Sequence, residues 1–179
     1  LDLVASDTEP LIIDELKFSI SGTGDDSQAV SQADLILDGD GSGLLDSSLD
    51  QVLQSVGLPF AANDGQVTFS GLNFSLAAGG TARLVVALSL SGLAGEGDTF
   101  VLAHDPAVEA TVVGVQSGAQ ITPIAQGAIS GGTLTATLVQ PGTISLRDGP
   151  GSLDQAEVFE GGVQQPMVQL SMTASSREA

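Results

Sequence analysis

LIIDELKFSI, residues 11–20, is the stretch that predicts the fold. When this stretch is extended, its apolar face carries Ile12, Leu16, Phe18 and Ile20, with only Asp14 interrupting. The opposite face is charged and polar. Because successive side chains of a strand point to opposite faces, a period of two indicates a half-buried β-strand.

The same alternation recurs along the chain, and Gly-rich turns separate the occurrences. The further predicted strands lie at 33–37, 67–69, 72–76, 84–90, 99–102, 108–115, 134–138, 144–146, 158–159 and 167–172. Many short strands with almost no helical segment are typical of a β-sandwich. The predicted fold is therefore all-β, an antiparallel β-sandwich of Ig-like type. Residues 1–132 form the predicted sandwich module, and 133–179 either complete the sandwich or start the next repeat.

Two turn motifs and one ambiguous segment refine this prediction. Asn63-Asp64-Gly65 precedes a strand and Gly79-Gly80 lies between two strands, so both are predicted to be hairpin turns with positive φ. Residues 48–57 carry apolar side chains that fit both a helical and an alternating pattern. We predict a strand there, with a short helix as the alternative.

Charge composition excludes several classes of partner. The chain of 179 residues has 22 acidic residues and four basic ones, for a formal net charge of -18. Nucleic-acid binding requires clustered Lys and Arg, so we expect no nucleic-acid partner. No apolar run is long enough to span a bilayer, so we expect no membrane insertion. The chain has no Cys, which excludes disulfides and thiolate chemistry.

An acidic, Gly-rich segment that follows the predicted strand 33–37 is the strongest chemical signal. Its oxygen-bearing positions alternate, and the predicted calcium ligands are Asp38, Asp40, Ser42, the Leu44 carbonyl, Asp46 and Asp50. Calcium takes about six to eight oxygen ligands, and spacing by two lets a curled loop aim them at one point. Leu49 stands where a bidentate acid normally closes the shell, and the acid comes one residue later. The alternative is a plain acidic turn without a metal.

Other polar residues give no catalytic signal. Asp25-Asp26 form a second acidic turn, which we expect to be a solvated loop. His104 is the only histidine, and nothing in the sequence marks a nucleophile or metal partner for it. We expect His104 to be a surface turn residue. The chain also lacks Trp and Tyr, the usual platforms for sugars. These observations predict that the protein is not an enzyme.

The two ends of the chain resemble each other. LSMTASSREA, residues 170–179, aligns with LDLVASDTEP, residues 1–10, with Met172 opposite Leu3. Such a match is typical of a tandem array cut at one period. The terminal strands are therefore predicted to pair either in their own sheet or with another copy of the chain.

The motifs SISGTGDD (19–26), LILDGDGSG (35–43) and VTFSGLNFSL (67–76) resemble tandem β-sandwich repeat modules of large bacterial surface, adhesin and S-layer-like proteins. The loop at Asp38 is similar to dockerin-like calcium loops. This resemblance implies an extracellular or cell-surface location, stiffening by calcium, and a structural or adhesive role. We predict a non-enzymatic structural module or filament subunit that assembles head-to-tail through β-strand contacts. The alternatives are an adhesin domain that binds a surface ligand and an accessory domain of a secreted hydrolase.

Overall fold

The protein is described by a computed structural model that covers residues 1–124 and 127–137 with side chains, and 144–148 and 170–174 as backbone. Its contacts divide the chain into two compact units, Leu1–Thr137 and Leu138–Ala179. The candidate site lies in the first unit.

The first sheet of unit 1 has four antiparallel strands. In spatial order they are β1 (Asp2–Val4), β6 (Thr81–Leu90), β3 (Val30–Asp38) and β4 (Gln51–Gly57). Strands β1 and β4 are therefore the two edges of this sheet. The predicted strand within residues 48–57 is confirmed as β4, and Val56 packs against the core.

The second sheet is organised around β2 (Leu11–Gly22). Strand β5 (Gln66–Leu76) pairs with one side of β2. The other side pairs first with β8 (Ala110–Gly114) and then with β7 (Thr99–His104). Three two-residue strands extend this sheet, namely β9 (Gln120–Ile121) beside β8, and β10 (Ile129–Ser130) and β11 (Leu134–Thr135) beside β7.

The two sheets face each other across one apolar core, as the prediction of an all-β antiparallel sandwich requires. Leu35 and Leu84 of the first sheet and Leu16, Phe69 and Phe100 of the second are at most 2% exposed. The helices of the described residues are two single turns, α1 (Asp26–Ala29) and α2 (Pro106–Glu109). The all-β prediction is confirmed, and the Ig-like strand order stays a prediction.

The apolar face predicted for β2 is partly wrong. Ile13 is 3% exposed and belongs to the core, whereas Ile12 is only half-buried. The register shifts between Ile13 and Glu15 on both neighbouring strands, so Asp14 occupies a β-bulge. A bulge adds one residue and moves the following side chains to the other face. This explains why an acid interrupts the alternation.

Both predicted turns form, but neither is a hairpin. Asp64 has a φ of 53° and Gly79 a φ of 67°, so the positive φ is confirmed at both turns. However, β4 and β5 belong to different sheets, and so do β5 and β6. The prediction of hairpins is wrong because each turn carries the chain across the core from one sheet to the other.

Unit 2 contains an antiparallel pair of strands, β12 (Ile144–Asp148) and β13 (Leu170–Ala174). The predicted strand 158–159, residues 167–169 of the strand 167–172, and residues 175–179 of the terminal repeat lie outside the described residues. Across the described part of the chain, no helix is long and apolar enough to cross a membrane.

Candidate metal site

The candidate site is the loop that joins β3 to β4. Asp38 ends β3 and Asp50 immediately precedes β4. Leu37 pairs with Gln51, so the two strands bring the ends of the loop side by side. The pairing of β3 with β4 is therefore what places these two acids, 12 positions apart in sequence, beside each other.

Three of the predicted ligands converge. One carboxylate oxygen each from Asp38, Asp40 and Asp50 lies within 4.8 Å of the others. Asp38 is only 6% exposed, Asp50 is half-buried and Asp40 is exposed. Oxygen atoms with this charge and spacing suit a hard divalent cation.

Backbone amides hold two of these acids in place. The Asp38 carboxylate accepts hydrogen bonds from the Gly41 and Gly43 amides, at 2.7 and 2.8 Å. The Asp50 carboxylate accepts from the Gly39 amide at 3.0 Å and from the Asp46 amide at 2.7 Å. Asp50 thus clamps the two halves of the loop. Each carboxylate oxygen has a second lone pair, so a bound cation is compatible with these bonds.

The other three predicted ligands form hydrogen bonds with neighbouring residues of the same loop. The Asp46 carboxylate accepts from the Ser48 amide and hydroxyl at 2.9 and 2.7 Å, and it is not part of the converging triad. The Ser42 hydroxyl lies 3.3 Å from the Leu44 carbonyl oxygen and accepts from the Leu44 amide at 3.1 Å. Ser42 and Leu44 therefore bond to each other within the loop.

The electrostatics of the loop favour ionised acids. The hydrogen bond from the Ser42 amide is the main cause that lowers the pKa of Asp40 below its usual value. The Ser48 hydroxyl and amide likewise lower the pKa of Asp46, although the nearby charge of Asp40 opposes that effect. Both groups are negatively charged at neutral pH, which is the form that binds a cation.

Arg83 links this loop to the first strand. Its Nη1 donates to the Gly41 carbonyl, and its Nε donates to Asp2 Oδ1 at 2.7 Å. Asp2 lies in β1, which pairs with β6 at Arg83. The hydrogen bonds from Arg83 lower the pKa of Asp2, and those to Asp2 raise the pKa of Arg83. One arginine therefore connects the acidic loop with the edge strand of the sheet.

Comparisons with known proteins found no match for this chain, so the geometry of this site is the main evidence about function. No family model, no curated protein and no solved structure matches the chain. The resemblance to bacterial surface repeats therefore stays a prediction.

The sequence predicted that His104 is a surface turn residue. This prediction is wrong, because His104 is only 2% exposed. Its Nδ1 lies 2.6 Å from the Lys17 carbonyl oxygen, and its ring packs against Phe18 with centroids 4.9 Å apart. The next residue, Asp105, caps α2 by accepting from the Ala107 amide. Asp followed by Pro at the first helical position is a known helix start, so the start of α2 could have been predicted from the sequence.

Asp26 is not solvated either, because it is 1% exposed. Its carboxylate accepts from the Asp64 amide at 2.8 Å and the Gly65 amide at 3.4 Å. Its own amide donates to the Asn63 side chain at 3.3 Å. Asp26 therefore fastens the turn before β5 to α1. Asp25 is exposed, as predicted for both acids.

Unit 1 also contains an apolar cavity of about 480 Å³ between β1 and the second sheet. Its walls include Leu1, Leu3, Leu11, Ile13 and Val112. Two acids, Asp2 and Glu9, also line it. Arg83 engages Asp2, and the Gln116 and Ser117 amides donate to Glu9, each at 2.9 Å.

Proposed function

We propose that this chain is a non-enzymatic structural module of a bacterial extracellular surface protein or filament. Calcium bound at Asp38, Asp40 and Asp50 stiffens the module, and copies join head-to-tail through β-strand contacts. The observation that carries this proposal is the convergence of the three carboxylates where β3 ends and β4 begins.

Calcium suits this loop better than magnesium does. Magnesium demands a near-ideal octahedron and keeps several of its waters, whereas calcium accepts irregular oxygen sets that mix carboxylates, carbonyls and water. The loop offers three carboxylates on a Gly-rich backbone. A cation here would neutralise repulsion among the acids and tie the end of β3 to the start of β4.

The composition supports an extracellular location. A surface with net charge -18 repels itself unless ions screen it, and salt or divalent cations outside the cell provide that screening. The chain has no cysteine, so a bound metal is a kind of cross-link that remains open to it.

The two acids of the cavity do not support the hydrolase alternative. A general acid in glycoside hydrolysis needs a raised pKa. Hydrogen bonds from Arg83 lower the pKa of Asp2, and the Ser117 amide and hydroxyl lower that of Glu9. The cavity itself favours a second candidate function, an adhesin domain that binds an apolar ligand.

A calcium titration tests the metal site. Binding to the folded state at about 100 times Kd stabilises by about 2.7 kcal/mol. For a chain of this size that raises Tm by roughly 5–10 °C. Scanning calorimetry with calcium and with a chelator measures the difference. An identical Tm in both conditions would contradict the calcium proposal.

Two aspartate variants make the test specific. Asp40→Asn keeps the acceptor for the Ser42 amide but removes one charge of the triad, so it should lose most of the calcium-dependent rise in Tm. The control is Asp25→Asn, the same chemical change at the exposed acid immediately before α1. Its calcium response should match that of the wild type. Sedimentation of the full chain with calcium tests head-to-tail assembly separately.

A further inference from the structure

A histidine ring lines the apolar cavity of unit 1. Leu11, Ile13, Leu76 and Val112 contribute apolar side chains to the walls. His104, the last residue of β7, lines the same cavity although it is only 2% exposed. Burial of a polar group costs free energy unless the group has a hydrogen-bond partner. Both ring nitrogens of His104 are therefore expected to have a partner.

The Nδ1 atom of His104 has its partner in the protein. It lies 2.6 Å from the Lys17 carbonyl oxygen. A carbonyl oxygen only accepts, so Nδ1 carries a proton and donates this bond. In the neutral ring the other nitrogen, Nε2, then has no proton and is an acceptor. The backbone of β2 therefore selects the tautomer of the ring.

The Nε2 atom of His104 has no hydrogen-bond partner among the described residues. Where the structure describes side chains, the enclosed polar atom without a partner is Gln54 Oε1, so Nε2 is not sealed inside the protein. Because the ring is buried and lines the cavity, the open space that Nε2 reaches is the cavity. An unpaired acceptor thus faces an apolar space.

The charges around the cavity limit which polar group can approach Nε2. Asp2 and Glu9 line the same cavity. Hydrogen bonds lower the pKa of both acids, so both are ionised at neutral pH. These negative charges disfavour an anionic ligand, and a carboxylate has no proton to donate to Nε2. A hydroxyl group has a donor and carries no charge that must be desolvated.

We infer that the cavity binds a neutral apolar molecule with one hydroxyl group, which donates a hydrogen bond to Nε2 of His104. The hydrocarbon part of the ligand contacts the apolar walls. The cavity of about 480 Å³ falls in the usual size range of small-molecule sites. This inference rests on the second candidate function, an adhesin domain that binds an apolar ligand, and names the class of ligand. It does not depend on the calcium site.

Two isomeric probes test the role of the hydroxyl group. n-Octanol and heptyl methyl ether contain the same atoms, but only the alcohol has an O–H donor. Titration calorimetry on the full chain should give a Kd for n-octanol that is about tenfold lower, because the ether leaves Nε2 unpaired. Equal affinities would refute the hydrogen bond to His104. If neither probe binds saturably, the cavity is not a binding site, as when another segment of the chain fills it.

Two variants separate the hydroxyl contact from the apolar contacts. His104→Asn keeps an amide donor for the Lys17 carbonyl and removes the Nε2 acceptor. It should abolish the preference for n-octanol and leave the affinity for the ether unchanged. Ala110→Leu, in β8, adds bulk to the cavity wall and should weaken both probes alike. Far-ultraviolet circular dichroism checks that each variant keeps the fold. A preference for n-octanol that survives in His104→Asn would overturn the inference.

The wild-type chain offers a further readout that requires no variant to fold. It has one histidine, so the ring nitrogens give one set of signals in long-range proton–nitrogen NMR spectra. The Nδ1–H tautomer should be seen, and the Nε2 signal should shift with n-octanol but not with the ether. An Nε2–H tautomer, or an Nε2 signal that n-octanol leaves unchanged, would contradict the inference. The calcium-dependent rise in Tm is measured separately, so either result leaves the calcium proposal to its own test.

Discussion

Asp26 offers the most direct measurement of how this sandwich is held together. Its carboxylate is 1% exposed and accepts backbone hydrogen bonds from Asp64 and Gly65. Asp26→Asn keeps one acceptor oxygen but replaces the other with an NH₂ donor. That donor would face the N–H groups of the turn, or remain buried without an acceptor.

The magnitude follows from these contacts. A hydrogen bond to a charged group is worth about 1.5–3 kcal/mol, and a buried donor without a partner costs about 1–3 kcal/mol. The bond to the Gly65 amide is long at 3.4 Å, so its loss adds little. We expect Asp26→Asn to lower the free energy of unfolding by about 2 kcal/mol, and Asp26→Ala by about 2–4 kcal/mol.

Asp25→Asn is the matched control. Asp25 is exposed, and its carboxylate accepts from the Ser27 hydroxyl at 2.6 Å, a bond that an amide oxygen can keep. Its cost should stay within about 0.5 kcal/mol. Because the chain has no Trp or Tyr, urea unfolding is best followed by far-ultraviolet circular dichroism. Equal unfolding midpoints for the two variants would refute the structural role of Asp26.

Two further predictions concern Glu9 and Gly39. In the folded protein the pKa of Glu9 is lowered, chiefly by the hydrogen bond from the Ser117 amide. The ionised Glu9 side chain therefore stabilises the fold at pH values above its ordinary pKa of 4.5, and this stabilisation is lost as the pH falls through the folded pKa. The Glu9→Gln variant should therefore have a lower free energy of unfolding than the wild type at neutral pH, and this difference should disappear below about pH 4.5. A difference that does not change with pH would contradict this prediction. A Cβ at Gly39 would lie 2.1 Å from the Leu49 carbonyl oxygen, so Gly39→Ala should cost about 1–3 kcal/mol by urea unfolding. Gly57→Ala, whose Cβ meets nothing within 4 Å, should cost less than half as much, and equal costs would show that the loop is not tightly closed there.

The sequence predicted the fold class well because alternation is a local property. Period-two patterns at β2, β3, β5 and β6 follow directly from which side chains face the core. The pairing of strands is not local. The Asn63-Asp64-Gly65 turn has the backbone that a hairpin would need, but whether the chain folds back or crosses to the other sheet depends on distant strands.

The convergence of acids at the candidate site could be predicted only in part, because some of it is local and some depends on strand pairing. The convergence of Asp38 with Asp40 follows from spacing, whereas that of Asp50 depends on the pairing of β3 with β4. Asp46 matches the ligand pattern, yet it turns to Ser48, a nearer partner. The burial of Asp26 and His104 could not be predicted, because their partners lie 38 and 87 positions away.

The central position of β2 has a consequence for how the chain folds. Leu11 pairs with Leu76 of β5 and with Gly114 of β8, and β1 pairs with residues 81–83, so the first strands find their partners far along the chain. Contacts of such long sequence separation slow folding, because a large loop must close before any pairing is gained. As the chain leaves the ribosome, β1 and β2 therefore stay unpaired until β5 and β6 have been made, and the other side of β2 stays open until β7 and β8 follow. Closure of the sandwich is therefore one of the last events in the synthesis of unit 1.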